Sequence, residues 1–278
     1  MENSKQKDPL RTKDGREAIE RLGKPRDIQR QNLLTMLSWL YRWGYSTADI
    51  LSDLLSRKNR SHAKRLSDAG WIQPVSIKGY PTYFVLTEKG QAEAIHHSPV
   101  LLDYKESDPY RVHLPTLHHN LVTQRETIKA MREGGYLDFL TERMYSFEKD
   151  RKPYKIPDVI LPYSKRDEFN HEIIELTGLE IELTPKWNHH LDLFVTNIVD
   201  DIQELRLDYV IIISNSKAVI KRYKDAFEPD TKVKRWEKSG IKFIETGKPL
   251  VIPKWVPDRV IFGEVDGRRI DYPTSYLP

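Results

Sequence analysis

The chain lacks several features, and each absence excludes a class of protein or a kind of functional site. None of its 278 residues is cysteine, which excludes disulfide bonds, thiolate metal ligands and cysteine nucleophiles. No apolar run approaches the length of a membrane span, and the polar residues 1–7 contain no apolar signal region. We therefore expect a cytoplasmic protein that does not associate with membranes.

A large excess of charge of one sign is also missing. The net charge is only +4 although 31% of the residues are charged, so the total permits a nucleic-acid partner without requiring one. The distribution of charge is then more informative than its sum. Apolar residues make up 38% of the chain and can build sizeable cores, and the length allows one or two domains.

Changes in periodicity and proline content divide the sequence into five segments. We predict a mobile N-terminal arm (1–25), a first domain (26–97), a linker (98–115), a second domain (116–248) and a C-terminal tail rich in proline and aromatic residues (249–278).

The first domain has the pattern of three helices followed by a β-hairpin. Apolar residues at helical spacing end at Gly44, Ser46 or Thr47 caps a second helix, and a third helix ends at Gly70. Two strands, Ile72 to Ile77 and Thr82 to Leu86, then flank a tight turn. This order predicts a winged helix-turn-helix domain.

Basic residues crowd around the third helix. The side chains that we expect at DNA are Arg57, Lys58, Arg60, Lys64 and Arg65, together with Lys78 and Tyr80 in the wing. Lysine and arginine at this density would contact phosphates, with Arg60 or Lys64 the better candidates for base edges. A solvated basic face, or a winged helix that binds protein, is the alternative. The run from Lys64 to Ile72 and the following hairpin resemble bacterial winged-helix regulators.

Acidic residues on two predicted strands suggest a metal site in the second domain. Glu180 and Glu182 are two residues apart on a strand and share a face, and Asp158 lies at the start of the preceding strand. If the strands are neighbours, the three carboxylates converge and a divalent cation would offset their repulsion. The alternative is a solvated strand face with alternating glutamates.

The elements of the second domain follow in the order α-β-β-β-α-β-α-β. We predict a helix over 118–134 capped by Thr116, and strands at 142–147, 156–161, 179–183, 209–213 and 242–245, with helices over 190–205 and 217–227. Three consecutive strands indicate an antiparallel meander, and two strands around a helix indicate a parallel pair. The expected fold class is α/β (α+β), a mixed sheet flanked by helices.

This order, with Pro157-Asp158 before one strand and acids on the next, resembles the restriction-endonuclease-like PD-(D/E)xK nucleases. Glu182 stands where that motif has lysine, and the nearest lysine is Lys186. An acid, then Glu-x-Glu and a lysine four residues on, together with the N-terminal winged helix and Leu117-His118-His119-Asn120-Leu121, resembles the replication-relaxation proteins and the MOBC-type plasmid relaxases.

The resemblance implies a bacterial endonuclease that nicks one DNA strand at a transfer origin of a plasmid or mobile element. It implies Mg²⁺ or Mn²⁺ held by Asp158 and Glu180, with Glu182 as a further ligand or base and Lys186 offsetting charge on the phosphate. His118 or His119 would assist, and Glu126 would orient a metal-bound water unless it is a surface residue. Expected partners are double-stranded, supercoiled origin DNA, an accessory mobilisation or transposition protein, and a second copy of the chain.

Two other functions remain open at this point. One is a double-strand endonuclease of a transposon or a defence system, and the other is a non-catalytic DNA-binding initiator or regulator, because Glu182 replaces the lysine of the motif. We favour hydrolysis, although a covalent mechanism has tyrosines available at Tyr154, Tyr163, Tyr209 and Tyr223.

Overall fold

The computed structural model describes residues 24–57, 61–98, 102, 112–144 and 153–265. The chain divides into two compact units, Met1–Val112 and His113–Pro278. The described residues form seven α-helices and include a mixed five-stranded sheet, so a mixed α/β class is confirmed. The predicted arm lies almost entirely outside the described residues.

The described residues of the first unit form four helices and a small antiparallel sheet. Its elements are α1 (Pro25–Trp43), β1 (Ser46–Thr47), α2 (Ala48–Leu54), α3 (Ser61–Asp68), β2 (Ile72–Val75), β3 (Tyr83–Leu86) and α4 (Glu88–His97). The strands lie in the order β1-β3-β2, and both pairings are antiparallel. The three predicted helices and the hairpin are therefore present, with shorter strands than expected.

Local chemistry explains where these helices begin. The Thr47 hydroxyl accepts a hydrogen bond from the Ile50 N–H at 3.4 Å and caps α2, as one of the two predicted alternatives stated. The Thr87 hydroxyl caps α4 by accepting from the Gly90 N–H at 3.2 Å. A Cβ atom at Gly90 would lie 2.0 Å from the Trp71 carbonyl oxygen, so only glycine allows α4 to approach this backbone.

Where the structure describes the second unit, it contains three helices and the larger sheet. Its elements are α5 (Leu114–Glu133), β4 (Leu140–Thr141), β5 (Val159–Arg166), β6 (Glu172–Ile181), α6 (His189–Gln203), β7 (Tyr209–Ser214), α7 (Lys217–Ala226), β8 (Lys232–Val233), β9 (Trp236–Ser239), β10 (Lys242–Glu245), β11 (Leu250–Val251) and β12 (Val260–Glu264).

The five-stranded sheet has the order β12-β7-β6-β5-β4. Strands β4, β5 and β6 are antiparallel neighbours, which confirms the predicted meander. Strands β6 and β7 are parallel and joined through α6, which confirms the predicted parallel pair. Short β8 and β11 pair with each other, and β9 and β10 form a separate antiparallel hairpin.

Several boundaries differ from the sequence-based expectation. The strand expected at 142–147 is instead the two-residue β4, because Glu142–Met144 form a 3₁₀ turn, and 145–147 lie outside the described residues. Helix α5 begins at Leu114, so Thr116 is not its cap and its hydroxyl donates to the His113 carbonyl at 3.0 Å.

The expected C-terminal tail contributes to the central sheet. Strand β12 pairs in parallel with β7, although it belongs to the segment 249–278 that we expected to lie outside the domain. Strand β10, expected to be the last strand of the sheet, belongs to the separate hairpin. Pro253 and Pro257 precede β12 and leave its hydrogen-bonding positions intact, so the proline content did not exclude a strand there.

A continuous apolar core holds α6 against the sheet. Helix α6 buries Phe194, Val195 and Ile198 against Val210 and Ile212 of β7. These side chains recur at helical spacing on α6 and belong to an apolar run in β7, as the sequence predicted. In the part of the chain that the structure describes, no helix combines the length and apolar character needed to cross a membrane.

Candidate active site

Asp158 and Glu180 lie on neighbouring strands. Val159 pairs with Leu179 in the antiparallel β5–β6 ladder, which places Asp158 opposite Glu180 where β5 begins and β6 ends. The Ile181 N–H donates to Asp158 Oδ2 at 2.8 Å. The expectation that these two strands are neighbours is therefore confirmed.

His119 of α5 contacts the Asp158 carboxylate. Its Nε2 lies 3.4 Å from Asp158 Oδ2 and 2.9 Å from the Ile181 carbonyl oxygen, and its Nδ1 lies 3.3 Å from Asn120 Oδ1. Both ring nitrogens thus face acceptors, which is the arrangement of an imidazolium. The Asp158 hydrogen bond raises the pKa of His119 to about 9, against the opposing effect of burial.

The same contact affects Asp158. Burial opposes ionisation of this carboxyl group, but the hydrogen bond and charge of His119, with the charge of Lys155, hold the pKa of Asp158 below its ordinary value. Asp158 is therefore an anion at neutral pH.

Glu180 is almost fully buried and pairs with Lys155. The Lys155 ammonium makes a direct ion pair with Glu180 Oε1, and the two side chains are 24% and 3% exposed. Burial raises the pKa of Glu180 to about 7 although Lys155 opposes the shift. Burial lowers the pKa of Lys155, but the charges of Glu180 and Asp158 outweigh it and raise this pKa overall. Because the Lys155 ammonium touches the Glu180 carboxylate, the two groups form an ion pair at neutral pH.

Lys155 is held in place by a buried aspartate of α6. Asp201 Oδ1 accepts the Tyr154 N–H at 2.7 Å, and its Oδ2 accepts the Lys155 N–H at 3.3 Å. Asp201 is completely buried, and burial raises its pKa to about 6 against the effect of these two hydrogen bonds. The backbone before β5 is thus tied to α6, and Lys155 points toward Glu180.

Glu182 has different partners. Its N–H continues the sheet by donating to the Ile213 carbonyl at 2.8 Å, and its side chain is buried. The Lys186 ammonium makes an ion pair with Glu182 Oε1, and the Tyr223 hydroxyl donates to Oε2 at 3.0 Å. Burial, and then the charge of Glu182, raise the pKa of Tyr223, which keeps this phenol protonated as a donor.

Phe194 forms the apolar floor under both lysines. Its ring centroid lies 5.2 Å from Lys155 Nζ and 4.7 Å from Lys186 Nζ. The face of an aromatic ring attracts cations, so Phe194 supports the two ammonium groups without neutralising them. Three carboxylates, two ammonium groups and one imidazolium therefore meet at this edge of the sheet.

The other candidate residues differ in burial and in their contacts. His118 is exposed on α5, so only His119 of this pair reaches the carboxylates. Glu126 is 1% exposed, so the alternative of a surface glutamate is wrong. Trp187 is 57% exposed, and the Arg222 guanidinium stacks over its ring at 3.7 Å.

The tyrosines proposed for a covalent mechanism are not equivalent. Tyr223 is fully buried and bonded to Glu182, which makes it a supporting donor. Tyr154 is 54% exposed, and its hydroxyl donates to Glu204 at 3.0 Å. Neither geometry presents a phenol beside the three carboxylates as a nucleophile.

Sequence reasoning missed Lys155 and the supporting role of Tyr223. Lys155 lies in an irregular segment, and its partner is 25 residues away, so no periodic pattern marks it. Its position three residues before Asp158 was the available signal, because a lysine beside a buried acid cluster lowers the repulsion among the carboxylates.

The oxygen atoms at this site suit a hard divalent cation, but the side chains as they stand do not form a complete coordination shell. Carboxylate oxygens are the ligands that Mg²⁺ and Mn²⁺ prefer, and Asp158 and Glu180 supply them side by side. Within the described residues, no group of three or more acidic, histidine or cysteine side chains converges on a single metal position. A cation here would be held by Asp158 and Glu180, with Lys155 giving up Glu180 Oε1.

The basic residues of the first unit are displayed toward solvent as far as they are described. Arg57, Arg65 and Lys78 are exposed, and Tyr80 is 41% exposed. Lys64 is also exposed and pairs with Asp68 at 2.8 Å. Burial, and then the charges of Arg65 and Arg57, lower the pKa of His62 on the same helix. Lys58 and Arg60 lie outside the described residues.

Comparisons with known proteins give no relative for this chain. No protein family, curated protein or solved structure yields a significant match. The function must therefore be argued from the site itself.

Proposed function

We propose that the protein is a metal-dependent DNA endonuclease that nicks one strand of a mobile-element or plasmid origin. The observation that carries the proposal is the position of Asp158, Glu180 and Glu182, with two lysines, at one edge of a mixed sheet. Oxygen ligands beside two ammonium groups suit a phosphodiester, because the reaction builds negative charge on the phosphate.

The residues of the site have different roles in the proposed reaction. Asp158 and Glu180 would hold Mg²⁺ or Mn²⁺, which when bound activates the attacking water and stabilises the leaving oxygen. Lys186 is 31% exposed and can reach a phosphate oxygen, while Tyr223 keeps Glu182 in position from the buried side. His119 maintains Asp158 as an anion through its contact with Oδ2. These roles follow the Asp, Glu-x-Glu and lysine pattern of the replication-relaxation proteins that the sequence resembles, in which the lysine lies four residues after the second glutamate instead of at its place.

The first unit would bind the neighbouring duplex. The order of three helices followed by an antiparallel hairpin supports a winged helix-turn-helix, with α3 as the recognition helix and the β2–β3 turn as the wing. Exposed Arg57, Lys64, Arg65 and Lys78 would contact phosphates. Replacing Lys64 and Arg65 together by alanine should weaken duplex binding and lower its salt dependence by about 2. Unchanged affinity and salt slope would contradict this role.

A second candidate is a non-catalytic DNA-binding regulator. The observation that favours it is the pairing of each carboxylate with a cationic side chain of the chain itself, Asp158 with His119, Glu180 with Lys155 and Glu182 with Lys186. Such a cluster is compensated in charge without a metal ion and can serve as a structural network.

Incubation with supercoiled plasmid carrying the chain's native flanking DNA separates these functions. The full chain is tested with Mg²⁺, with Mn²⁺ and with chelator, beside Asp158→Ala and the control Asp225→Ala, which changes an exposed aspartate of α7. The proposal predicts metal-dependent open circles from the wild type and the control and none from Asp158→Ala.

The other possible results of this experiment would each support a different function. Linear plasmid would favour the double-strand endonuclease of a transposon or defence system. Tight binding without cleavage, with candidate accessory proteins added, would contradict catalysis and support the regulator.

A further inference from the structure

One short segment of the second unit carries an unusual concentration of positive charge. Residues 232–254 contain seven lysine or arginine residues and two glutamates, a net charge of +5, whereas the whole chain carries +4. The remainder of the chain is therefore slightly acidic on balance. Charge gathered in this way is the electrostatic pattern expected of a surface that binds phosphates.

The centre of this segment is the β9–β10 hairpin. Ser239 pairs with Lys242, so the strands are joined by the two-residue turn Gly240-Ile241. Gly240 has φ of +62°, which glycine adopts at the first position of a hairpin turn without steric cost. The turn therefore presents Ile241 at the tip, where it is 96% exposed.

The hairpin has one face packed against the start of α6. The Phe243 ring lies 4.5 Å from the His189 ring and 5.4 Å from the His190 ring, and the Trp236 Nε1–H donates to Asp192 Oδ2 at 2.9 Å. Phe194, which supports Lys155 and Lys186, lies about one helical turn beyond His190, so the hairpin packs on the same helix as the carboxylate site.

Basic residues at the base of the hairpin are paired, whereas those near its tip are not. Arg235 makes two hydrogen bonds to Asp200, at 2.6 and 2.8 Å, and Lys234 pairs with Glu245 at 2.7 Å. In the described part of the chain, neither Lys238 nor Lys242 has an acidic partner, and both are exposed. The base is thus fixed by ion pairs, and the tip retains uncompensated positive charge.

We propose that the β9–β10 hairpin is a second DNA-binding element, which inserts its tip into the groove of duplex DNA beside the carboxylate site. Lys238 and Lys242 would contact phosphates of the two strands, and Ile241 would press against a base step. A two-stranded β-ribbon fits a DNA groove, and apolar side chains inserted at base steps are a known way of bending a duplex.

Ile241 is the most exposed large apolar side chain among the described residues, and the exposed Lys238 and Lys242 lie near it in the hairpin. Two lysines flanking it favour a polyanion over an apolar protein surface, because a protein partner would leave both ammonium groups without counter-charges. This inference rests on the proposed action on DNA, but it concerns binding and needs no cleavage.

Photo-cross-linking tests the contact directly in the full chain. A benzophenone amino acid is placed at Ile241 or, as a matched control, at Val251, an apolar residue of β11 that is 49% exposed. A duplex with 2-aminopurine at successive positions is bound in the presence of chelator. We expect cross-linked DNA from position 241 and none from 251, and a rise in 2-aminopurine fluorescence that Ile241→Ser abolishes.

Salt dependence provides the second measurement. Replacing Lys238 and Lys242 by alanine should reduce the slope of log affinity against log salt by about 2 and weaken binding about tenfold at moderate salt. The control removes Lys217 and Lys221, two exposed lysines of α7, and should leave the slope unchanged.

The outcomes separate this inference from the proposed function. Absence of cross-linking at 241, or an equal loss of binding in both double variants, would overturn the hairpin contact even if the plasmid is nicked. Cross-linking at 241 in a protein that never cleaves would retain the hairpin and overturn the nuclease. A wild type that binds no DNA would overturn both.

Discussion

Glu180 and Glu182 share one strand end and one pattern in the sequence, yet their surroundings differ. Glu180 pairs with Lys155, which comes from a distant segment positioned by Asp201, and burial raises the pKa of Glu180 to about 7. Glu182 pairs with Lys186, four residues on, and accepts a further hydrogen bond from Tyr223. The two glutamates therefore differ in chemistry because their partners differ, and we propose cation binding for Glu180 and a positioning role for Glu182.

The largest expected difference is in stability. Lys155→Met should lower the free energy of unfolding by about 3–5 kcal/mol, because it leaves Glu180 buried without its counter-charge. Lys186→Met should cost less, about 1–2 kcal/mol, because the Tyr223 hydroxyl still donates to Glu182 Oε2. Urea unfolding of both variants, with the exposed Lys217→Met as control, measures the contrast. Equal losses of stability from Lys155→Met and Lys186→Met would contradict the predicted difference between the two ion pairs.

Cleavage should separate the two glutamates as well. Glu180→Gln keeps the shape of the side chain and removes its charge, and we expect the nicking rate to fall by about 10²–10³-fold. Glu182→Gln retains a partner for Tyr223 and should lose about tenfold, as for residues that orient a site. Single-turnover nicking measures both rates. If Glu182→Gln were the slower enzyme, the assigned roles would be reversed.

The third carboxylate, Asp158, leads to a prediction about how stability depends on pH. Because the pKa of His119 is raised to about 9 from an ordinary value near 6.5, its contact with Asp158 stabilises the fold fully below the lower value. That contribution, up to about 3 kcal/mol, is lost as the pH rises from the unfolded to the folded pKa. Urea unfolding in chelator across this range should show the decline in the wild type. His119→Asn should remove the decline, and a variant with the same slope as the wild type would exclude His119 as its source.

The smallest expected effect on cleavage is at Tyr223. Tyr223→Phe removes the 3.0 Å hydrogen bond to Glu182 Oε2 and should cost about 2 kcal/mol of stability, while cleavage stays near the wild-type rate. Thermal unfolding and nicking are measured on the same preparation. A loss of cleavage comparable to that of Glu180→Gln would show that Glu182 takes part in the chemistry.

Elements defined by local patterns could be predicted from the sequence. The apolar run of β7 and the helical spacing of α6 gave correct elements to within two residues, since burial on one or both faces determines both patterns. Asp158 and Glu180 were brought together because β5 and β6 are adjacent antiparallel strands, the arrangement expected for consecutive strands.

Features that depend on distant partners could not be predicted in this way. Strand β12 follows a proline-rich stretch and is identified only by its pairing with β7, about fifty residues earlier. Lys155 has no periodic neighbours, and its orientation depends on Asp201 of α6. The burial of Glu126 likewise follows from the packing of α5, which sequence spacing left open.

Binding of Mn²⁺ tests most directly whether Glu180 is the cation ligand. The electron paramagnetic resonance signal of free Mn²⁺ is titrated with the wild type, Glu180→Gln and Glu182→Gln, each without DNA and with a bound duplex. We predict that the wild type and Glu182→Gln remove Mn²⁺ from solution in the presence of DNA and that Glu180→Gln does not. Equal binding by Glu180→Gln and the wild type, or no binding by the wild type, would contradict the account.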